Sequence, residues 1–241
     1  MTEIENKVGR KRKLIDISSR VMKTSGSVEN VPEELRDKAA EVIAGLMLLK
    51  IGIDPDKNKE LLWKNKELLR KTIGKTKITV KLSEIPNELI GKAAEWLVQL
   101  RSLEFGIDSN RHSELPHTDI DAYRPHGLFG PRIATPVQVK SCSLRKHGYA
   151  IRIDDQPLRE FRGWYIAVLE REPWDDFLYI PDDDMKELME KYGRQPEKTR
   201  TARRHHKNRW YLKVYRHWDL LKRYLDSSKF VEAVLRARIN F

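Results

Sequence analysis

Cysteine is nearly absent from this chain. Cys142 is the only one in 241 residues, which excludes an intrachain disulfide and a cysteine-cluster zinc site and fits a reducing compartment, with the cytoplasm as the default expectation. Long apolar runs are missing as well. No stretch approaches the ~20 residues that a membrane helix needs. The polar opening ends in Arg10-Lys11-Arg12-Lys13 with no apolar segment behind it, so no secretory signal is expected. Acidic residues are scarce in one region only. From Lys186 to Phe241, 16 Lys and Arg stand against 6 Asp and Glu, so this tail carries +10 of the chain's net +11. A charge block of that kind suits phosphate backbones, whose neutralisation releases counterions. The alternative is a solvated basic helix pair.

What is present is a globular composition, 39% hydrophobic and 34% charged, long enough for one sizeable core with extensions. Leu35, Ala39, Val42, Ile43, Leu46, Leu49 and Ile51 follow the helical period from Pro32 to a stop at Gly52. Leu61, Leu62, Trp63, Leu68 and Leu69 predict a second helix over about 57–72. An internal repeat then appears. Val31 to Leu61 aligns without gaps on Ile85 to Leu115, with 14 identities in 31 positions. Pro32 matches Pro86, Lys38-Ala39-Ala40-Glu41 matches Lys92-Ala93-Ala94-Glu95, and Gly52-Ile53-Asp54 matches Gly106-Ile107-Asp108. Each copy reads as a proline at the first turn, an amphipathic helix and a glycine stop.

After the second copy the period changes from 3.6 to 2. Ile120 to Tyr123, Thr135 to Ser141, Tyr149 to Ile153, Trp164 to Leu169 and Phe177 to Ile180 are strand candidates separated by Gly, Pro or Asp turns. Asp182 to Tyr192 reads as a helix with acids in its first turn, and a closing helical region is expected from about Asn208 to the C-terminus. The order is that of an α/β fold around a mixed sheet.

Three features lie in order within 50 residues: Glu95 on the second repeat helix, Asp119 and Asp121 at the mouth of a strand, and Gln138-Val139-Lys140 in the next strand. Alternate strand residues face the same way, so Asp119 and Asp121 project together, as do Gln138 and Lys140. A hairpin closed by Arg124 to Pro131 would bring acid and lysine to one face. Carboxylate and amide oxygens suit a hard cation such as magnesium, and a neighbouring lysine can orient or deprotonate water and stabilise charge building on phosphate.

Taken together, Gly91-Lys92-Ala93-Ala94-Glu95, Thr118-Asp119-Ile120-Asp121-Ala122-Tyr123 and Pro136-Val137-Gln138-Val139-Lys140-Ser141 resemble the PD-(D/E)XK nuclease superfamily, especially its Holliday-junction-resolvase-like and small-endonuclease branches. The resemblance covers about 85–180. It implies a restriction-endonuclease-like mixed sheet flanked by helices, with helical N- and C-terminal extensions, and a metal-dependent endonuclease using Mg2+, for which Mn2+ substitutes. Residue by residue, Asp121 matches the metal aspartate with Asp119 as the alternative, Gln138 stands where the second acid usually is, Lys140 matches the lysine and Glu95 the helix glutamate. All four acids and amides, Glu95, Asp119, Asp121 and Gln138, are candidate metal ligands. Gln138 departs from the usual pattern because an amide oxygen coordinates without bringing charge. The implied regions are a basic arm at 1–29, a helical region at 30–80, a nuclease core at 81–185 and a basic helical region at 186–241.

Competing readings remain for individual residues. Glu95 could pair with Lys92 along its helix, the aspartates could be turn residues, and Lys140 could blunt a strand edge. Glu41, the repeat's counterpart of Glu95, has no Asp or Gln-X-Lys at the matching distance and is expected to be structural. His112, His117 and His126 match no zinc spacing, with His117 a candidate proton donor or phosphate contact. In the basic tail, Arg200, Arg203, Arg204, Lys207 and Arg209 are assigned to DNA. The interleaved Trp210, Tyr211, Tyr215, Trp218 and Tyr224 are assigned to packing. Duplex or branched DNA is the expected partner, and a homodimer is a candidate assembly because cutting two strands calls for two sites. A DNA-binding module without the chemistry and an RNA-acting nuclease are the competing functions.

Overall fold

The computed structural model describes residues 31–70, 82–111, 114–124, 133–142, 149–170, 176–194 and 209–237. The basic arm expected at 1–29, His112, His126, and Arg200, Arg203, Arg204 and Lys207 lie outside them. Among the described residues, no helix is long and apolar enough to cross a membrane.

The duplicated unit folds twice in the same way. Helix α1 spans Arg36–Lys50 and, after α2 at Lys59–Arg70, helix α3 spans Ile90–Glu104. Each repeat helix is preceded by a single 3-10 turn, Glu33–Leu35 or Asn87–Leu89, in which the leucine N–H bonds back to the proline carbonyl. The exits match too. Gly52 and Gly106 adopt φ of 79° and 71°, and the isoleucine after each glycine donates its N–H to the carbonyl five residues earlier, Ile53 to Leu48 and Ile107 to Ser102. This is the helix stop in which glycine takes the left-handed position at no Cβ cost.

The copies face one another with reciprocal contacts. Lys38 Nζ reaches Asp108 (2.5 Å) and Asn110 (2.6 Å) at the exit of the second copy. Its counterpart Lys92 reaches Asp54 (2.8 Å) and Asp56 (2.7 Å) at the exit of the first. The local symmetry breaks after the exits. Pro55 follows Asp54 and starts a 3-10 turn at Pro55–Lys57 that leads into α2. Ser109 follows Asp108, and the chain becomes strand β1, Asp108–Arg111.

The remaining strands are β2 Ile120–Tyr123, β3 Thr135–Cys142, β4 Ala150–Asp154, β5 Trp164–Leu169, β6 Asp176–Pro181 and β7 Arg209–Lys213. Five of them form one sheet in the order β1-β2-β3-β5-β6, and β4 pairs with β7 in a separate ribbon. Within the sheet β3 and β5 are parallel and the other pairs antiparallel, so the fold is a mixed α/β sheet flanked by helices. The crossover from β3 to β5 carries β4 and the short helix α4, Asp155–Glu160. Helix α5, Asp182–Tyr192, follows β6 with three aspartates in its first turn.

Two cores lie on the two faces of the sheet. Val137, Val139, Ile166 and Val168 pack against α1 and α3, and β4, β7 and α5 cover Cys142, Tyr165, Ala167 and Leu169. The C-terminal helix α7, Ser228–Arg236, docks Phe230 onto the first face, where its ring meets Trp164 edge-on at 5.6 Å and Tyr179 stacked at 5.5 Å. The first core therefore joins residues 31–69 to the sheet and to Phe230 and Val234, and the second joins the sheet to α5, β7 and Leu221. The boundaries expected near 80 and 185 do not separate packing units.

Three features of the sequence reading are corrected. The tail does not open as a helix: Arg209–Lys213 is a strand paired with β4, and only from Val214 does the chain become helical, through a 3-10 turn and helix α6 at Trp218–Leu221. Strand β1 was not anticipated, since Asp-Ser-Asn-Arg has little β propensity and is held by pairing with β2. Nor was α4, whose Pro157 sits within its first turn.

Candidate metal and phosphodiester site

Strand β2 meets β3 as the hairpin requires, with Ile120 opposite Val137 and Asp121 opposite Pro136. The ladder continues one residue further. Asp119 N–H donates to the Val137 carbonyl (2.9 Å), and the Asp119 carboxylate accepts from the Val139 N–H (2.7 Å). Asp119 is thereby fixed beside Gln138 by backbone bonds on both sides.

Gln138 is buried, and its amide nitrogen donates to the His117 carbonyl at 2.9 Å. A carbonyl only accepts, so this contact fixes which end of the amide is which. The other end, Oε1, is buried with no hydrogen-bond partner, an arrangement that native interiors seldom leave without a reason. His117 sits in the left-handed region with φ of 60°, and its ring Nε2 lies 3.2 Å from Glu160. Its contribution to the site is its backbone oxygen.

Glu95 rises toward this cluster from α3. Burial pushes its carboxyl up from 4.5 to about 7, the nearby Asp119 charge adds to the rise, and Arg111 opposes it. Asp119 is also shifted up by burial, against the pull of Lys140 and of the Val139 N–H. Lys140 moves the other way: burial lowers its pKa, while Asp119, Asp154 and Glu95 resist the change and Arg209 favours it. Each group thus feels at least one of the others in a region poor in solvent, a pattern that marks candidate functional sites.

The competing readings of these residues can be weighed. Lys92 is committed to Asp54 and Asp56, so it does not serve Glu95 as a helix partner. Strand β3 lies between β2 and β5, but its paired register with β2 ends at Val137, three residues short of Lys140. Glu41 is bound to Lys66, which also holds Asp37. Asp121 is nine-tenths buried, its Oδ1 has no hydrogen-bond partner, and it opens onto a pocket of about 630 Å³ with Lys38, Glu41, Gln99, Asn110, Arg111 and Glu114. The cluster of mutually shifted groups contains Asp119.

Several participants were not legible beforehand. Arg111 stacks on Trp96 at 3.6 Å and bonds Asp56 at 3.0 Å. Against the cost of its burial, hydrogen bonds from Lys92 and Arg111 bring Asp56 down to about 2. Arg209 forms a two-pronged pair with Asp154, at 2.5 and 3.2 Å, beside Lys140. No local signal joins Asp154 to Arg209, because the β4 and β7 pairing spans 55 residues. Cys142, two residues beyond Lys140, is buried, and its thiol is pushed up to about 12, so it is inert as a nucleophile.

Among the described residues there is no group of three or more His, Cys, Asp and Glu arranged to hold a metal ion. The oxygen set near Lys140 is two carboxylates, Glu95 and Asp119, completed by the unpartnered amide oxygen of Gln138. An all-oxygen set with an orphaned acceptor is the chemistry a hard divalent cation accepts. No protein-family model matches the chain, and no curated protein matches it.

Proposed function

We propose that this chain is a metal-dependent DNA endonuclease with a restriction-endonuclease-like core, in which Glu95, Asp119, Gln138 and Lys140 form the active site. Two things support the fold reading: the order α3-β1-β2-β3-β4-α4-β5, in which β4 stands outside the main sheet, and the parallel pairing of β3 with β5. The observation that carries the functional reading is the shared environment of Glu95, Asp119 and Lys140, each shifted by burial and by one another, beside an amide oxygen that has no partner.

In this reading Asp119 takes the place of the metal aspartate, and Asp121 stands two residues along the strand at the neighbouring pocket. Glu95, Asp119 and Gln138 Oε1 would hold magnesium or manganese. When bound, the cation supplies Lewis-acid polarisation of the phosphoryl oxygen and neutralises charge on it. The chain's own residues do the rest. Asp119 is held by the Val139 N–H, so its carboxylate is preorganised. Gln138 is held by His117, so its oxygen is aimed without cost at the moment of reaction. Lys140, whose neutral amine burial favours, accepts a proton from the water that attacks phosphorus. The P–O ester bond breaks on the far side, and the departing oxygen takes a proton from solvent.

A catalytically inactive DNA-binding module is the second reading, favoured by the uncharged Gln138 in the third motif. Cleavage of plasmid, linear, branched and single-stranded DNA, and of matching RNA, with magnesium or manganese separates the readings. Wild type is expected to cut DNA, and Lys140→Ala and Asp119→Ala are expected to lose at least about 100-fold in rate. No cutting by wild type, with equal DNA binding by all three proteins, would replace the nuclease with the binding module.

A further inference from the structure

The aromatic residues of the basic tail divide into two sets that face opposite ways. On the β4–β7 ribbon, Ile151, Ile153 and Leu212 are buried in the second core, and Trp210 packs against it with its indole N–H on Asp155 at 3.0 Å. The opposite face of the ribbon carries Arg152 opposite Tyr211 and Asp154 opposite Arg209, with Lys213 exposed at its end. Arg152 lies over the Tyr211 ring at 4.9 Å. One turn further, Tyr215 is 56% exposed, with Lys213 5.9 Å and Arg216 5.8 Å from its ring centre. The expectation that the tail's aromatics all serve packing holds for Trp210 and fails for Tyr215.

We propose that this face is a binding track for a single strand of nucleic acid, with Tyr215 and Tyr211 as stacking platforms and Arg152, Lys213 and Arg216 as phosphate contacts. Three observations carry it. The face alternates cations with aromatic rings, the pattern that grips an unpaired strand because every base offers a π-face. The ribbon that carries it packs its other face in the second core with Cys142 of β3, so the track lies beside the strand that holds Gln138 and Lys140. It also belongs to the tail that holds +10 of the chain's net +11, which matches a polyanion. A fully paired duplex hides its base faces and offers these rings nothing to stack on. The track therefore selects DNA with an unpaired segment, such as a flap, a branch or a frayed end. It deepens the nuclease reading by naming the substrate class, but the binding itself does not depend on cleavage.

The test is fluorescence anisotropy with labelled oligothymidylate and with a duplex of matching length, in EDTA so that nothing is cut. Wild type should bind the single strand more tightly. Tyr215→Ala should weaken that binding roughly 5- to 100-fold and leave the duplex unchanged, and Tyr215→Phe, which keeps the ring, should bind as wild type does. Because Tyr215 is exposed, these variants keep the fold, which circular dichroism checks. Equal affinity for both DNAs, or equal loss on both with Tyr215→Ala, would overturn the track. If wild type cuts no DNA while Tyr215→Ala still loses single-strand binding, the track stands and the nuclease reading falls.

Discussion

The two copies of the repeated unit carry the same glutamate into different surroundings. Both carry Lys-Ala-Ala-Glu on a helix and Gly-Ile-Asp at its exit, and both make the same caps and reciprocal lysine contacts. Glu41 and Glu95 are both half-buried, yet Glu41 is held by Lys66, whereas burial, with the nearby Asp119 charge, raises the Glu95 carboxyl to about 7. The difference lies in what each helix packs against. Helix α2 follows the first copy and supplies Lys66. The sheet follows the second and supplies an acid. Smaller changes adapt the second helix to the sheet. Gln99 stands where the first copy has Gly45, and its amide donates to the Ser109 carbonyl on β1 at 2.7 Å. Trp96 stands where the first copy has Val42, and its ring fills the space that Gly45 leaves open. Identical local sequence fixes identical local structure, and the neighbours set the charge environment of the same glutamate.

The comparison can be broken most directly through the paired glutamates. Glu95→Gln should lower DNA cleavage by at least about 100-fold, while Glu41→Gln, which gives up its half-buried ion pair with Lys66, should cut at the wild-type rate. A large loss at Glu41 would dissolve the distinction. Next in size is the close approach of the helices. Gly45→Ala would set a Cβ 2.6 Å from a Trp96 ring carbon, and overpacking of this kind should cost ~1 to 3 kcal/mol in denaturant unfolding. An unchanged midpoint would show that Trp96 is free to move.

A third test uses pH. The folded Glu95 carboxyl titrates near 7 and the unfolded one near 4.5, so the folded state holds the extra proton between those values. Stability linked to this group is then full below 4.5 and declines as pH rises through 7. Glu95→Gln should melt at a higher temperature than wild type at pH 8, with the gap closing toward pH 4.5. A gap that does not depend on pH would place the Glu95 carboxyl in ordinary solvent. The smallest expected effect is at Gly91, where a Cβ meets nothing within 4 Å. Gly91→Ala should stabilise the protein by up to ~1 kcal/mol through helix propensity, opposite in sign to the same change at Gly45.

Much of this architecture was legible because its signals are local. The 3.6-residue period gave α1 and α3, the glycine stops gave their ends, and short β-branched and aromatic runs bounded by turn residues gave β2, β3 and β5. The Asp-Ile-Asp and Gln-X-Lys motifs placed the candidate site in the β2–β3 hairpin because the two strands are joined by a short connection. Strand β1 escaped because its residues are polar, and β7 escaped because its Trp-Tyr-Leu pattern suits either period.

What the sequence determined by itself is therefore the duplication, the helix boundaries, the order of the central strands and the residue types that could carry chemistry. Only the tertiary structure gave Glu41 and Glu95 different neighbours, put Asp119 beside Gln138 and opened Asp121 onto a pocket with Lys38 and Arg111. It also paired Asp154 with Arg209 across 55 residues of chain, where both charges act on Lys140. The physical reason is that propensity and capping act over a few residues, whereas the charge state of a carboxyl or an amine depends on burial and on neighbours that chain folding alone delivers.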